Sequence, residues 1–167
     1  MSTYAPINVL VLCTGNSARS ILGEALFNHL GKGRIRAFSA GSQPSGKVNP
    51  VALETLQKHG VPLPSEVRSK SWSEFAAADA PKLDYIFTVC ASAAGETCPI
   101  WPGRPTTAHW GIDDPAHVEP MEARRVAFEV AYKALEKRIR AFLALDLETL
   151  PRADVLTAAR LIHEACQ

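Results

Sequence analysis

The sequence predicts an α/β protein in which a central parallel sheet is covered by helices on both faces. Apolar runs at residues 7–12 and 85–89 are typical of strands buried on both sides, and residues 34–39 form another candidate strand. Segments with apolar residues at helical spacing alternate with these strands, which indicates βαβ units. The length of 167 residues favours one domain spanning 1–167.

The pattern predicts four helices. The first follows a turn at residues 13–17 and ends near Gly31. The second has Asn49 as its N-cap and Pro50 at its first helical position, and it stops at Gly60. The third runs from Pro120 to about residue 145, and the last covers 151–165. Residues 91–105 are rich in glycine, proline and small side chains, so we expect a loop there.

The charge balance excludes some classes of function. The chain has 18 basic and 17 acidic residues and a formal net charge of +1, whereas non-specific nucleic-acid binding needs a basic excess. No segment approaches the roughly 20 apolar residues of a membrane helix, and the N-terminus resembles a strand more than a signal peptide. We therefore expect no nucleic-acid or membrane partner, a cytoplasmic location and a monomer.

Residues 13–20 join the first strand to the first helix and have the features of an oxyanion-binding loop. Backbone N–H groups in a tight loop form an anion-binding concavity, and a helix N-terminus adds positive potential. Arg19 can form two parallel hydrogen bonds to a tetrahedral oxyanion. The predicted oxyanion-binding residues are Thr14, Gly15, Asn16, Ser17, Ala18, Arg19 and Ser20.

Cys13 stands at the start of this loop, directly after the strand. The field that holds an anion also stabilises a thiolate, which is then positioned to attack the central atom of the bound oxyanion. The alternative is a cysteine that is merely packed, since free cysteine is among the most buried residue types. The Cys-x5-Arg-Ser pattern between a buried strand and a helix favours the catalytic interpretation.

The loop Cys-Thr-Gly-Asn-Ser-Ala-Arg-Ser resembles the nucleophile loop of the low-molecular-weight tyrosine phosphatases and of their relatives, the thioredoxin-coupled arsenate reductases. The resemblance continues through residues 38–41, 48–50, 87–99 and 109–116, and so covers roughly residues 7 to 145. It implies their three-layer αβα fold with a central four-stranded parallel sheet. Ala18 stands where many relatives have a second cysteine.

The resemblance also implies roles for an acid and for two further cysteines. The aspartate directly before proline in such proteins is the general acid, which is Asp114 here, and Asp113 is the weaker candidate. In the reductase reaction Cys13 attacks arsenate, Cys90 attacks the Cys13 sulfur and releases arsenite, and Cys98 then attacks Cys90. Thioredoxin or glutaredoxin is the expected electron donor. Cys166 has no counterpart with an assigned role.

Two other functions stay open at this point. Cys13, Arg19 and Asp114 would also serve a phosphatase acting on phosphotyrosine or small phosphoesters, although Cys90 and Cys98 would then have no task. A redox-sensing interaction protein would leave the anion loop unexplained.

We expect no cofactor and no metal. Some related reductases bind potassium, and the positions that match their site are Asn16, Glu24 and Ser39. A further family aspartate aligns near Lys70, whose ammonium group would take the place of the cation.

Overall fold

The structure is a computed structural model that describes residues 5–63, 67–90 and 105–166. The strands are β1 (Ile7–Cys13), β2 (Ile35–Gly41), β3 (Tyr85–Thr88) and β4 (Thr106–His109). The helices are α1 (Arg19–Gly31), α2 (Pro50–Lys58), α3 (Met121–Leu143) and α4 (Arg152–Ala165), with a 3₁₀-helix at Trp72–Phe75.

The four strands form one parallel sheet in the order β2-β1-β3-β4, which confirms the predicted fold class. β1 is central, and every one of its residues pairs with β2, from Ile7 opposite Ile35 to Cys13 opposite Gly41. On its other side, Val9 to Leu12 pair with Tyr85 to Thr88 of β3. Because the strands are parallel, their carboxyl ends meet at one edge, where ligands bind in sheets of this kind.

The sheet has a thick helical layer on one face and a thin one on the other. Val9 and Val11 belong to the larger apolar cluster, which within the described ranges contains the buried apolar residues of α1, α2, α3 and α4. Leu10 and Leu12 point to the opposite face, where Phe75 of the 3₁₀-helix completes a smaller cluster. The alternation along β1 shows that both faces of the central strand are buried.

Helix α1 lies directly against the sheet and is the most enclosed helix, with nine of its residues buried, from Ser20 to Gly31. It shows no single apolar face because it is covered on nearly all sides. Its first residue, Arg19, follows the loop that leaves β1. The core thus holds the N-terminus of α1 at the carboxyl edge of the sheet.

Across the parts of the chain that the structure describes, none of the helices combines the length and the apolar character needed to span a membrane.

Candidate active site

The Cys13 thiol lies at the bottom of the loop between β1 and α1 and is 4% exposed. The Asn16 backbone N–H donates a hydrogen bond to Cys13 Sγ at 3.2 Å, and Ser20 Oγ lies 2.9 Å from the same sulfur. Asn16 Nδ2 donates to Ser20 Oγ at 2.8 Å, which leaves the serine hydroxyl proton available to the sulfur. The Asn16 N–H and the Ser20 hydroxyl therefore both lie within hydrogen-bonding distance of Cys13 Sγ.

The loop is held open from outside by donors that bind its carbonyl groups. Gln43 N–H donates to Thr14 O at 3.0 Å, Ser45 N–H to Gly15 O at 3.0 Å and Asn49 N–H to Ser17 O at 2.8 Å. In a trans peptide the C=O and the following N–H point in opposite directions. Binding these carbonyls from outside therefore turns the following N–H groups towards the centre of the loop, where an anion would bind.

Two backbone features let the loop adopt this shape. Asn16 has a φ of 47°, a left-handed conformation that asparagine tolerates better than most residues. Gly41, the last residue of β2, passes so close to the loop that a Cβ there would lie 2.3 Å from Thr14 O. The end of β2 and the nucleophile loop are thus packed backbone against backbone.

Arg19 lines the same cavity as the Cys13 thiol. Its Nη1 donates to Ile112 O at 2.8 Å, and its Nη2 lies 3.6 Å from Asp114 Oδ2. The guanidinium therefore links the nucleophile loop to the segment that follows β4. A cavity of about 230 Å³ lies between them, lined by Cys13, Thr14, Gly15, Ser17, Ala18, Arg19, Asp114, Ala116 and His117.

Asp114 and Asp113 differ in what they face. Asp114 lines the cavity above Cys13, and its Oδ1 accepts a hydrogen bond from Ala116 N–H at 2.9 Å, which fixes the carboxylate at the mouth. Asp113 does not line that cavity but a neighbouring groove of about 720 Å³, to which Asp114 and Cys166 also contribute. Of the two aspartates, Asp114 therefore shares a cavity with Cys13 and Arg19, and its role as the acid stays a prediction.

His117 is a cavity residue to which the sequence analysis gave no role. Its Nε2 lies 3.9 Å from Asp114 Oδ2, and its side chain is almost fully exposed. In the sequence, only its position three residues after Asp114 indicated a place for His117 in the cavity. The Arg19 contact with the Ile112 carbonyl was also missed, since a backbone acceptor leaves no mark in the side-chain pattern.

Cys90 lies beside the nucleophile loop. It follows β3 and is 5% exposed, and its Sγ lies 3.4 Å from Thr14 Oγ1, the residue next to Cys13. The hydrogen bond from Val89 N–H to Leu12 O ties this strand end to β1. The second predicted relay cysteine, Cys98, lies outside the described residues. Cys166 is partly exposed and lines the 720 Å³ groove away from Cys13.

A buried charged group lies behind the loop. Glu24 of α1 accepts a hydrogen bond from Ser39 Oγ at 2.6 Å, and Lys70 Nζ lies 3.6 Å from Glu24 Oε1. Burial lowers the pKa of Lys70 from its usual 10.5, and the nearby Glu24 carboxylate opposes that shift. Among residues 5–63, 67–90 and 105–166, no three His, Cys, Asp or Glu side chains cluster as metal ligands would.

Comparison with known proteins identifies the class that this fold and loop define. The low molecular weight phosphotyrosine protein phosphatase family matches residues 8–154. The chain belongs to this family, which confirms the resemblance drawn from its loop and acid motifs.

Three relatives illustrate the range of the family. An arsenate reductase of Staphylococcus aureus (strain N315) is 37% identical over 77% of this chain and 93% of its own length. The thioredoxin-dependent arsenate reductase of Corynebacterium glutamicum superposes with a TM-score of 0.61 at 25% identity, covering 83% of this chain; the chain spans only 61% of that protein. The tyrosine phosphatase Wzb of Escherichia coli K30, in complex with sulphate, has a TM-score of 0.64 at 25% identity and covers 81% of this chain and 95% of its own.

Proposed function

We propose that this protein is an arsenate reductase that uses Cys13 as its nucleophile. The observation that carries the proposal is the second buried thiol, Cys90, in contact with Thr14 of the nucleophile loop. Hydrolysis of a phosphoester does not need that thiol, whereas reduction does, because its two electrons come from joining two sulfurs. The arsenate reductases among the relatives support the same conclusion.

The first step is substitution at arsenic. The oxyanion binds between the loop N–H groups and the Arg19 guanidinium, and the Cys13 thiolate attacks the arsenic atom. Asp114 donates a proton to the departing oxygen, which leaves as water. The product is an As(V) thioester-like adduct with a bond between Cys13 Sγ and arsenic.

The second step transfers the electrons. The Cys90 thiolate attacks Cys13 Sγ, which forms a Cys13–Cys90 disulfide and breaks the sulfur–arsenic bond. The electron pair of that bond stays on arsenic, which leaves as arsenite in the As(III) state. The two sulfurs thereby lose the two electrons that arsenic gains.

The remaining steps return the enzyme to its reduced state. Cys98 attacks Cys90, which frees Cys13 as a thiolate and leaves a Cys90–Cys98 disulfide. An external dithiol, thioredoxin or glutaredoxin, then reduces that disulfide by exchange. Since the cycle begins with reduced thiols, which the cytoplasm maintains, we place the reaction there.

A phosphatase is the second candidate, favoured by the presence of Cys13, Arg19 and Asp114 around one cavity. These three groups suffice to cleave a phosphoester, with water releasing the phosphate from Cys13. The tyrosine phosphatase among the solved structures supports this alternative. Phosphoester hydrolysis, however, gives the buried Cys90 thiol no role.

The decisive test is arsenate-dependent NADPH consumption by the purified protein with thioredoxin and thioredoxin reductase, repeated with glutathione and glutaredoxin. Hydrolysis of an aryl phosphate is measured in parallel. We expect sustained arsenate reduction with at least one donor system, and loss of it in Cys13→Ser and Arg19→Ala. Hydrolysis of the phosphate ester without any arsenate reduction would establish the phosphatase instead.

A further inference from the structure

The Glu24 carboxylate is buried behind the nucleophile loop, and its negative charge requires a positive group nearby. The residue is only 8% exposed, and among the described residues its polar contacts are the Ser39 hydroxyl and the Lys70 ammonium. The Lys70 side chain is itself 10% exposed, and its Nζ also lies 3.5 Å from Ser39 Oγ and 3.3 Å from Arg68 O. A carboxylate removed from water to this degree is costly unless a positive charge accompanies it.

The backbone around Lys70 contacts the nucleophile loop directly. Lys70 N–H donates to Asn16 Oδ1 at 2.8 Å, and Ser69 Oγ donates to Gly15 O at 2.9 Å. Gly41 N–H donates to Lys70 O at 2.9 Å, which ties the same segment to the end of β2. Residues 69–70 therefore hold the loop from the side opposite the substrate cavity.

A continuous series of contacts runs from Lys70 to the nucleophile. Lys70 N–H orients the Asn16 amide, the Asn16 Nδ2 donates to Ser20 Oγ, and Ser20 Oγ lies 2.9 Å from Cys13 Sγ. Asn16 also has the left-handed backbone conformation that gives the loop its shape. Displacing Lys70 would remove the partner that fixes the amide of this residue.

We propose that Lys70 is a positioning residue, a tethered cation that neutralises the buried Glu24 and so lets residues 69–70 keep the contacts that hold the nucleophile loop in its anion-binding shape. Lys70 touches neither the substrate nor Cys13 and acts through Asn16. The loop is that of the reductase proposed above. The role of Lys70 would be the same in any reaction at Cys13, because Lys70 affects how the loop binds an oxyanion.

The ion pair predicts a specific pattern among charge variants. Lys70→Met leaves the buried Glu24 carboxylate without its compensating charge. We expect Glu24 then to draw in water or to move away from the loop segment. We expect oxyanion affinity to fall by roughly 10-fold to 100-fold, the range typical when a supporting partner of a functional group is lost. Adding Glu24→Gln removes the orphaned charge, so the double variant should recover most of the lost affinity.

The experiment measures anion binding without any turnover. The rate at which iodoacetamide modifies Cys13 is followed by peptide mass mapping at increasing concentrations of inorganic phosphate. The concentration dependence of protection gives a phosphate dissociation constant. This readout stays valid even if the protein reduces no arsenate, so failure of the proposed function and failure of this proposal are separable. Thermal midpoints are recorded alongside, since a merely stabilising lysine would lower them without changing phosphate binding.

The matched control is Lys58→Met on α2. Lys58 Nζ lies 3.5 Å from Glu129 Oε1, a similar distance, but this lysine is 70% exposed and far from the loop. It should bind phosphate as the parent does. Weak phosphate binding by Lys70→Met with recovery in the Glu24→Gln/Lys70→Met double variant supports the proposal.

Two results would overturn it: parent-like phosphate binding by Lys70→Met, or binding by the double variant as weak as that of Lys70→Met. If Lys70→Met does not fold, the double variant decides alone. A folded double variant that binds phosphate like the parent supports the proposal, and one that is unfolded or binds weakly refutes it.

Discussion

At the scale of single residues, the site depends on which carboxylate lines the same cavity as the sulfur. Asp114 lies 3.6 Å from Arg19 Nη2 and lines the cavity above Cys13, whereas Asp113 turns to the neighbouring groove. The two aspartates are adjacent in sequence and chemically identical, so composition and spacing do not distinguish them. Their separation comes from the turn at 114–116, in which the Asp114 carboxylate accepts the Ala116 N–H.

Asp114→Asn should therefore slow turnover far more than Asp113→Asn. An amide cannot donate the proton that the leaving oxygen needs, and loss of a general acid typically costs roughly 10²–10⁴-fold in rate. Steady-state rates of arsenate reduction for both variants check this. A larger loss in Asp113→Asn would show that the acid has been assigned to the wrong aspartate.

The sequence pattern indicated which residues form the nucleophile loop, but it did not indicate the contacts that surround the loop. Cys13, Arg19 and Ser20 lie within eight residues of one another, so the motif contains its own geometry. The partners that shape the loop come from distant segments, as with Ile112 O on Arg19 and Ser69 on Gly15. Contacts that join a side chain to a remote backbone atom are not encoded in local spacing, and only the fold reveals them.

At the scale of elements, the close approach between β2 and the nucleophile loop leaves less room for a side chain than any other glycine position that the structure describes. Gly41→Ala would place a methyl group 2.3 Å from the Thr14 carbonyl oxygen, a backbone atom that cannot rotate away. The loop must shift, and a displacement of about 1 Å at a catalytic site can cost on the order of 10²-fold in rate. We expect loss of phosphate protection at Cys13 together with loss of arsenate reduction.

Gly31→Ala provides the control for that substitution. Its methyl group would lie 2.8 Å from the Ile35 side chain, which is also a clash. Gly31 is the last residue of α1, whereas the nucleophile loop precedes the first residue of that helix. Gly31→Ala should lower stability and leave phosphate binding intact. Equal loss of phosphate binding in both variants would mean that general destabilisation, and not the loop contact, explains the effect of Gly41→Ala.

The local sequence pattern predicted three of the four strands. The strands β1, β2 and β3 were predicted because their apolar residues are consecutive or alternate. β4 was not, since its four residues are Thr-Thr-Ala-His and only Ala108 is buried. This strand lies at the edge of the sheet, where pairing with β3 provides its backbone hydrogen bonds and few side chains enter the core. The fourth strand was expected only from the resemblance to a family.

At the scale of the whole molecule, the C-terminal helix docks through a pH-sensitive contact. Arg138 of α3, which is almost fully buried, donates through Nε to His163 Nδ1 of α4 at 3.1 Å. Burial, with the Arg138 charge and His109 adding to it, lowers the pKa of His163 below its usual 6.5. The folded protein therefore favours the neutral ring, and protonation would put two positive groups against each other.

The sign of the pH dependence follows from this shift. Because the folded pKa of His163 is depressed, its contribution to stability is present above 6.5, the unfolded value, and is lost as the pH falls through the folded value. The free energy of unfolding should fall between about pH 7.5 and about pH 5.5. The fall should be smaller in His163→Asn. Denaturant unfolding at the two pH values measures it, and an identical fall in the variant would contradict the assignment.

In the proposed reaction cycle, two electrons pass to arsenic from a pair of sulfurs that begin on neighbouring strand ends. The most direct measurement is a single turnover without any donor. Fully reduced protein is mixed with one equivalent of arsenate, arsenite is quantified, and disulfides are mapped by peptide mass. In Cys98→Ser we predict one arsenite per chain and a Cys13–Cys90 disulfide, and in Cys90→Ser neither. Arsenite formation by Cys90→Ser at the parent level, with no bond to Cys13, would contradict the relay.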